Sequence, residues 1–61
     1  MKIKILKEVP VKKKYRPEVG KVYEVHRTER ALAFITVNGA EVGVYTGLGN
    51  RIPAEAEYIS E

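Results

Sequence analysis

Asn38-Gly39 stands between two runs of alternating apolar and polar residues, and no other dipeptide restricts what this chain can fold into as much. A two-residue hairpin turn of type I′ needs positive φ at both central positions, which Asn and Gly tolerate best. The dipeptide therefore predicts an antiparallel hairpin together with its register: Val37 faces Ala40, Ile35 faces Val42 and Ala33 faces Val44. These residues share one apolar face, the expected core. The opposite face holds Leu32, Phe34 and Thr36 across from Tyr45, Gly43 and Glu41, where the Phe34 ring can cover the bare backbone of Gly43.

Period-two alternation recurs along the chain, and no window carries the i, i+3, i+4, i+7 pattern of a surface helix. Met1, Ile3 and Ile5 fall on one face of a first strand, with Lys2 and Lys4 on the other. Residues 8–20 contain Pro10, Lys12-Lys13-Lys14, Tyr15, Arg16, Pro17 and Gly20 and read as a long loop whose prolines forbid a helix. A second strand is expected over residues 21–27, a polar turn at Thr28-Glu29-Arg30 and a third strand over residues 31–37. The fourth ends near Thr46. Gly47-Leu48-Gly49-Asn50 is expected as a loop, Ile52-Pro53-Ala54 as a single 3₁₀ turn, and Glu57-Tyr58-Ile59 as a short last strand. The expectation is an all-β chain with one domain over residues 1–61.

With 61 residues the chain buries only about 60% of the surface it exposes when unfolded, so its core is thin. It has no cysteine and one histidine, His26, so neither disulfides nor a tight transition-metal site can reinforce it. All eight acids are Glu, which removes the Asp-rich loops that hold calcium. Nucleophilic catalysis needs a Ser, Cys or Thr beside an oriented base, yet the only serine, Ser60, lies in the tail and His26 on a strand. Glu55, Glu57 and Glu61 are the nearest approach to a carboxylate cluster, and tail clusters are usually solvated. Gly43, Gly47 and Gly49 lack the Gly-Lys-Ser/Thr of a phosphate loop and are better explained by turns. A binding protein with no cofactor and no catalytic residue is the expectation. No apolar run approaches the roughly 20 residues of a membrane span, so a cytoplasmic protein without membrane contact is expected.

Strand, long loop, strand, turn, hairpin, an Ile-Pro turn and a closing Tyr-Ile together resemble the SH3-like small barrel. The ending of that family is matched by Asn50-Arg51-Ile52-Pro53 followed by Tyr58-Ile59. The chain is also similar to short SH3-like proteins of phages and prophages, in Val19-Gly20-Lys21-Val22-Tyr23-Glu24-Val25 and in Ile35-Thr36-Val37-Asn38-Gly39-Ala40-Glu41-Val42-Gly43-Val44. The resemblance implies a five-stranded barrel with a long first loop and a short 3₁₀ turn before the last strand. It does not imply recognition of proline motifs, because the chain lacks tryptophan and its long loop is basic where those domains carry an acidic one.

Net charge is +3, unevenly spread: residues 1–30 carry ten Lys or Arg against four Glu, residues 31–61 one Arg against four Glu. Basic groups interleaved with aromatics can contact phosphates while a base stacks on a ring. The leading expectation is nucleic-acid binding of low sequence specificity. Lys12, Lys13, Lys14, Arg16 and Arg27 would meet phosphates, and Tyr15 or Phe34 would stack. On extended backbone Lys12 and Lys14 would project to one side and Lys13 to the other. A lysine run also serves solubility and guards strand edges. The alternative is a protein-interaction module, such as a phage or prophage factor docking on a bacterial host protein through Leu32, Phe34 and Tyr45. Self-association as a homodimer through that patch or an exposed strand edge would be a third use.

Overall fold

A computed structural model describes residues 1–47 and 54–59. Its elements are six strands: β1 (Lys2–Ile5), β2 (Val22–Glu24), β3 (Arg27–Glu29), β4 (Leu32–Val37), β5 (Ala40–Tyr45) and β6 (Ala56–Ile59). They form two three-stranded antiparallel sheets, ordered β2-β1-β6 and β3-β4-β5. The expected all-β class is therefore observed.

The hairpin of β4 and β5 has the register its turn demands at all six pairs, from Leu32 opposite Tyr45 to Val37 opposite Ala40. Asn38 at φ 50° and Gly39 at φ 78° supply the two left-handed residues. Ala33, Ile35, Val42 and Val44 are buried on its inner face. They join Ile3, Ile5 and Ala56 of the other sheet in one apolar cluster, to which Val9 and Val25 also belong. Met1 was expected on that face with Ile3 and Ile5, but it lies beyond the end of β1 and is 65% exposed.

The strand expected over residues 21–27 is two strands. Val25 is the reason: its N–H donates to the Met1 carbonyl at 2.8 Å, whereas the N–H of the next residue, His26, donates to the Phe34 carbonyl at 3.0 Å. Adjacent amides thus serve different sheets, and the chain crosses from one to the other as the Val25 side chain enters the core. Pairing resumes through Glu29, so the polar turn expected at residues 28–30 shrinks to Arg30 and Ala31, with Arg30 in the left-handed region at φ 55°.

The loop also departs from the extended path expected of it. Lys13–Tyr15 form a 3₁₀ turn, closed by Tyr15 N–H to the Lys12 carbonyl at 2.9 Å and Arg16 N–H to the Lys13 carbonyl at 3.2 Å. Pro10 and Pro17 flank this turn and do not enter it, so their missing N–H groups cost it nothing. Val9 and Pro17 are buried, and Val11 and Tyr15 pack against the core, which fastens the loop to the sheets. The last strand starts one residue before the expected position because Ala56 pairs with Ile5 and is buried there. The 3₁₀ turn expected at residues 52–54 and most of the expected loop at residues 47–50 lie outside the described residues.

Candidate functional site

The 3₁₀ turn decides how the basic run is displayed. The turn takes in Lys13 and Lys14 while Lys12 just before it keeps extended backbone (φ −55°, ψ 141°), so the regular alternation of an extended run does not carry through the three lysines. All three lysines are exposed. Among the described residues no carboxylate pairs with Lys12, Lys13 or Lys14, and the Lys14 ammonium lies 4.9 Å from the centroid of the Tyr15 ring. Lys13 and Lys14 both line a cleft of about 580 Å³ between the loop and the hairpin tip, with Arg16, Tyr23, Val37 and Asn38 among its other walls.

Three side-chain hydrogen bonds hold those walls. The Asn38 side-chain amide donates to the Lys14 carbonyl. The Glu18 N–H donates to the Tyr23 hydroxyl oxygen at 2.9 Å, and Arg16 Nη2 donates to the Val11 carbonyl at 3.0 Å. Asn38 and Tyr23 escaped sequence reasoning as site residues. Asn38 was accounted for by its turn and Tyr23 by its strand, and neither pattern reports what a distant loop docks on.

The remaining expected nucleic-acid residues stand apart from that turn or are engaged. Tyr15 is half-buried against the core. Arg16 is half-buried too, with Nη1 3.7 Å from Glu8 and its Nε enclosed without an acceptor among the described residues. Arg27 sits on the outer face of β3-β4-β5, opposite Phe34. Its Nε and Nη2 donate to the two Glu41 carboxylate oxygens at 3.1 and 2.9 Å, and Nη1 donates to Glu29 at 3.1 Å. These bonds hold the Glu41 carboxyl below the usual carboxylate range and raise the Arg27 guanidinium further above its own. His26 joins the same cluster, with Nδ1 3.7 Å from Glu41 and Nε2 3.3 Å from the Thr36 hydroxyl.

Arg27 also covers the alternative docking patch. Its guanidinium carbon lies 3.9 Å from the centroid of the Phe34 ring. The same ring reaches over Gly43, where an added Cβ would stand 3.0 Å from Phe34 Cε1. Phe34 is thus held between an arginine and a glycine backbone. The Tyr45 hydroxyl is enclosed without a hydrogen-bond partner among the described residues, and Leu32 is the more open member at 37% exposure.

Glu55, the first of the tail carboxylates, has a structural job: its Oε1 accepts the Tyr45 N–H at 3.0 Å while its own N–H donates to the Tyr45 carbonyl at 2.8 Å. Among the described residues no three His, Cys, Asp or Glu side chains gather as metal ligands, and no helix is long and apolar enough to cross a membrane. Comparison with protein-family models, curated proteins and solved structures finds no match to this chain.

Proposed function

We propose that this chain is a non-enzymatic binding module with the architecture of an SH3-like barrel, acting on cytoplasmic nucleic acid with low sequence specificity through Lys12, Lys13 and Lys14. Support for the architecture comes from strand order. Counting β2 and β3 as one strand bent at Val25-His26 leaves five, and that strand contributes its first half to β2-β1-β6 and its second half to β3-β4-β5. A strand shared between two sheets in this way is how a small barrel turns its corner.

The observation that carries the binding reading is the contrast among the cations. Arg27 and Lys21 each have a carboxylate at 2.9 Å or less, while the three lysines of the loop have none among the described residues. Their charge remains to be neutralised by a partner, and phosphates do so with release of counterions. Three such contacts predict that log Kobs falls with log salt at a slope of about −2 for a single strand. Fluorescence anisotropy with single- and double-stranded oligonucleotides at two salt concentrations tests this. Absence of binding at low salt, or binding indifferent to salt, refutes it. The docking face of Leu32, Phe34 and Tyr45 is the weaker reading, because the Arg27 cap leaves little of Phe34 for a partner to bury.

A further inference from the structure

The cleft beneath the lysine turn has more shape than a track for a passing polyanion needs. Its walls come from three parts of the chain, the loop, Tyr23 of β2 and the hairpin tip, and the Asn38 bond to the Lys14 carbonyl joins the loop to the hairpin. Glu8 and Glu18 also line it. Glu18 is neutralised by Lys21 at 2.7 Å, and Glu8 faces Arg16 at 3.7 Å, so Lys13 and Lys14 are left as the uncompensated charges of the cleft. The Tyr23 hydroxyl adds a donor. Its oxygen already accepts the Glu18 N–H, and among the described residues its own proton has no acceptor.

We infer that this cleft receives the terminal phosphate of a nucleic-acid strand in preference to a phosphodiester within one, an inference that rests on the nucleic-acid reading above. Two features argue for the chain end. A phosphate monoester carries a charge of about −1.5 to −2 at neutral pH, which matches two lysines lining one cleft, whereas a diester carries a single charge. In addition, the Tyr23 ring and the Val37 side chain offer an apolar floor on which the terminal nucleoside can rest. Lys13 and Lys14 hold the phosphate oxygens, and the Tyr23 hydroxyl donates to a third.

The test compares one short single strand in three forms, with a 5′-phosphate, with a 3′-phosphate and with hydroxyls at both ends, by anisotropy at low salt. One of the phosphorylated forms is expected to bind about tenfold more tightly than the hydroxyl form. The Lys13→Gln/Lys14→Gln variant is expected to erase that difference. Both lysines are exposed, so the variant is expected to melt as the parent does. In parallel, phenyl phosphate titrated into labelled protein is expected to shift the amide signals of Lys13, Lys14, Tyr23 and Asn38 saturably, with phenol leaving them in place. Equal binding of all three strands, or a phenyl phosphate titration that moves none of those signals, overturns the terminal-phosphate inference and leaves the nucleic-acid reading standing. Failure of every strand to bind overturns both.

Discussion

Arg30 occupies the left-handed region at φ 55°, where an L-residue with a Cβ is disfavoured by about 1 to 2 kcal/mol and Asn suffers least among residues other than Gly. The two-residue turn between β3 and β4 imposes that conformation, since Glu29 already pairs with Leu32. Arg30→Asn is expected to raise stability by about 0.5 kcal/mol and Arg30→Val to lower it by about 1 kcal/mol, both read from urea unfolding at equal m-value. A destabilised Asn variant would mean that the arginine side chain makes a contribution its backbone conceals. Glu41 sets a pH dependence of definite sign. Its folded pKa is depressed by Arg27, so its contribution is fully present above the unfolded-state carboxylate value and is lost as pH falls through the lower folded one. Arg27, raised in the folded state, keeps its share at every pH below its unfolded value and loses it only in strong alkali. The melting-temperature gap between the parent and Glu41→Gln should therefore be present at neutrality and close below the ordinary carboxylate range. A gap unchanged down to the acid limb would remove the ion pair from the account of stability.

At the level of the element, the β4-β5 hairpin was legible in full because turn chemistry and side-chain period both specify its register. The loop of residues 8–20 was not. Period-two reasoning detects strands that bury one face, and this segment is fastened by isolated anchors, Val9 and Pro17, with no period between them. The candidate site was half legible for the same reason. A lysine run is visible in any alignment of letters with charge, but the capture of Arg27 by Glu41 depends on β3 continuing to Glu29 and placing Arg27 opposite Phe34, on the face that Glu41 shares. Asn38 couples the hairpin to the loop, and the two roles can be separated. Asn38→Gly keeps a residue suited to φ 50° while deleting the amide that holds the Lys14 carbonyl. Stability is expected to fall by only about 1 kcal/mol, while hydrogen exchange at the Tyr15 and Arg16 amides, which close the 3₁₀ turn, quickens well beyond that of the β4 amides. Unchanged protection at those two positions would show that Val11, Tyr15 and Pro17 hold the turn without help from the hairpin.

Across the whole molecule, the two sheets share one core. Ile3, Ile5 and Ala56 from β1 and β6 pack in the same cluster as Ala33, Ile35, Val42 and Val44 from β4 and β5. A domain this small holds about 3 to 5 kcal/mol of net stability, and truncating a fully buried isoleucine costs about 2 to 5 kcal/mol. Ile35→Ala should therefore leave a large fraction of the chain unfolded at 25 °C, whereas Leu32→Ala on the outer face of the same strand should cost under about 1 kcal/mol. The more telling measurement is made on the parent protein. If the core is common property, the slowest-exchanging amides of β1 and of β4 must open with the same free energy, since neither sheet can lose its partner and keep its apolar face dry. The bend at Val25-His26 reinforces this, because its consecutive amides bond to Met1, just before β1 of one sheet, and to Phe34 of the other, so that freeing either sheet breaks the strand that both use. Exchange at Ile3 that proceeds through a markedly cheaper opening than exchange at Ile35 would make the sheets separable units, and the lysine turn, whose Tyr15 packs on the shared core, would then lose the rigid footing that the proposed binding role requires.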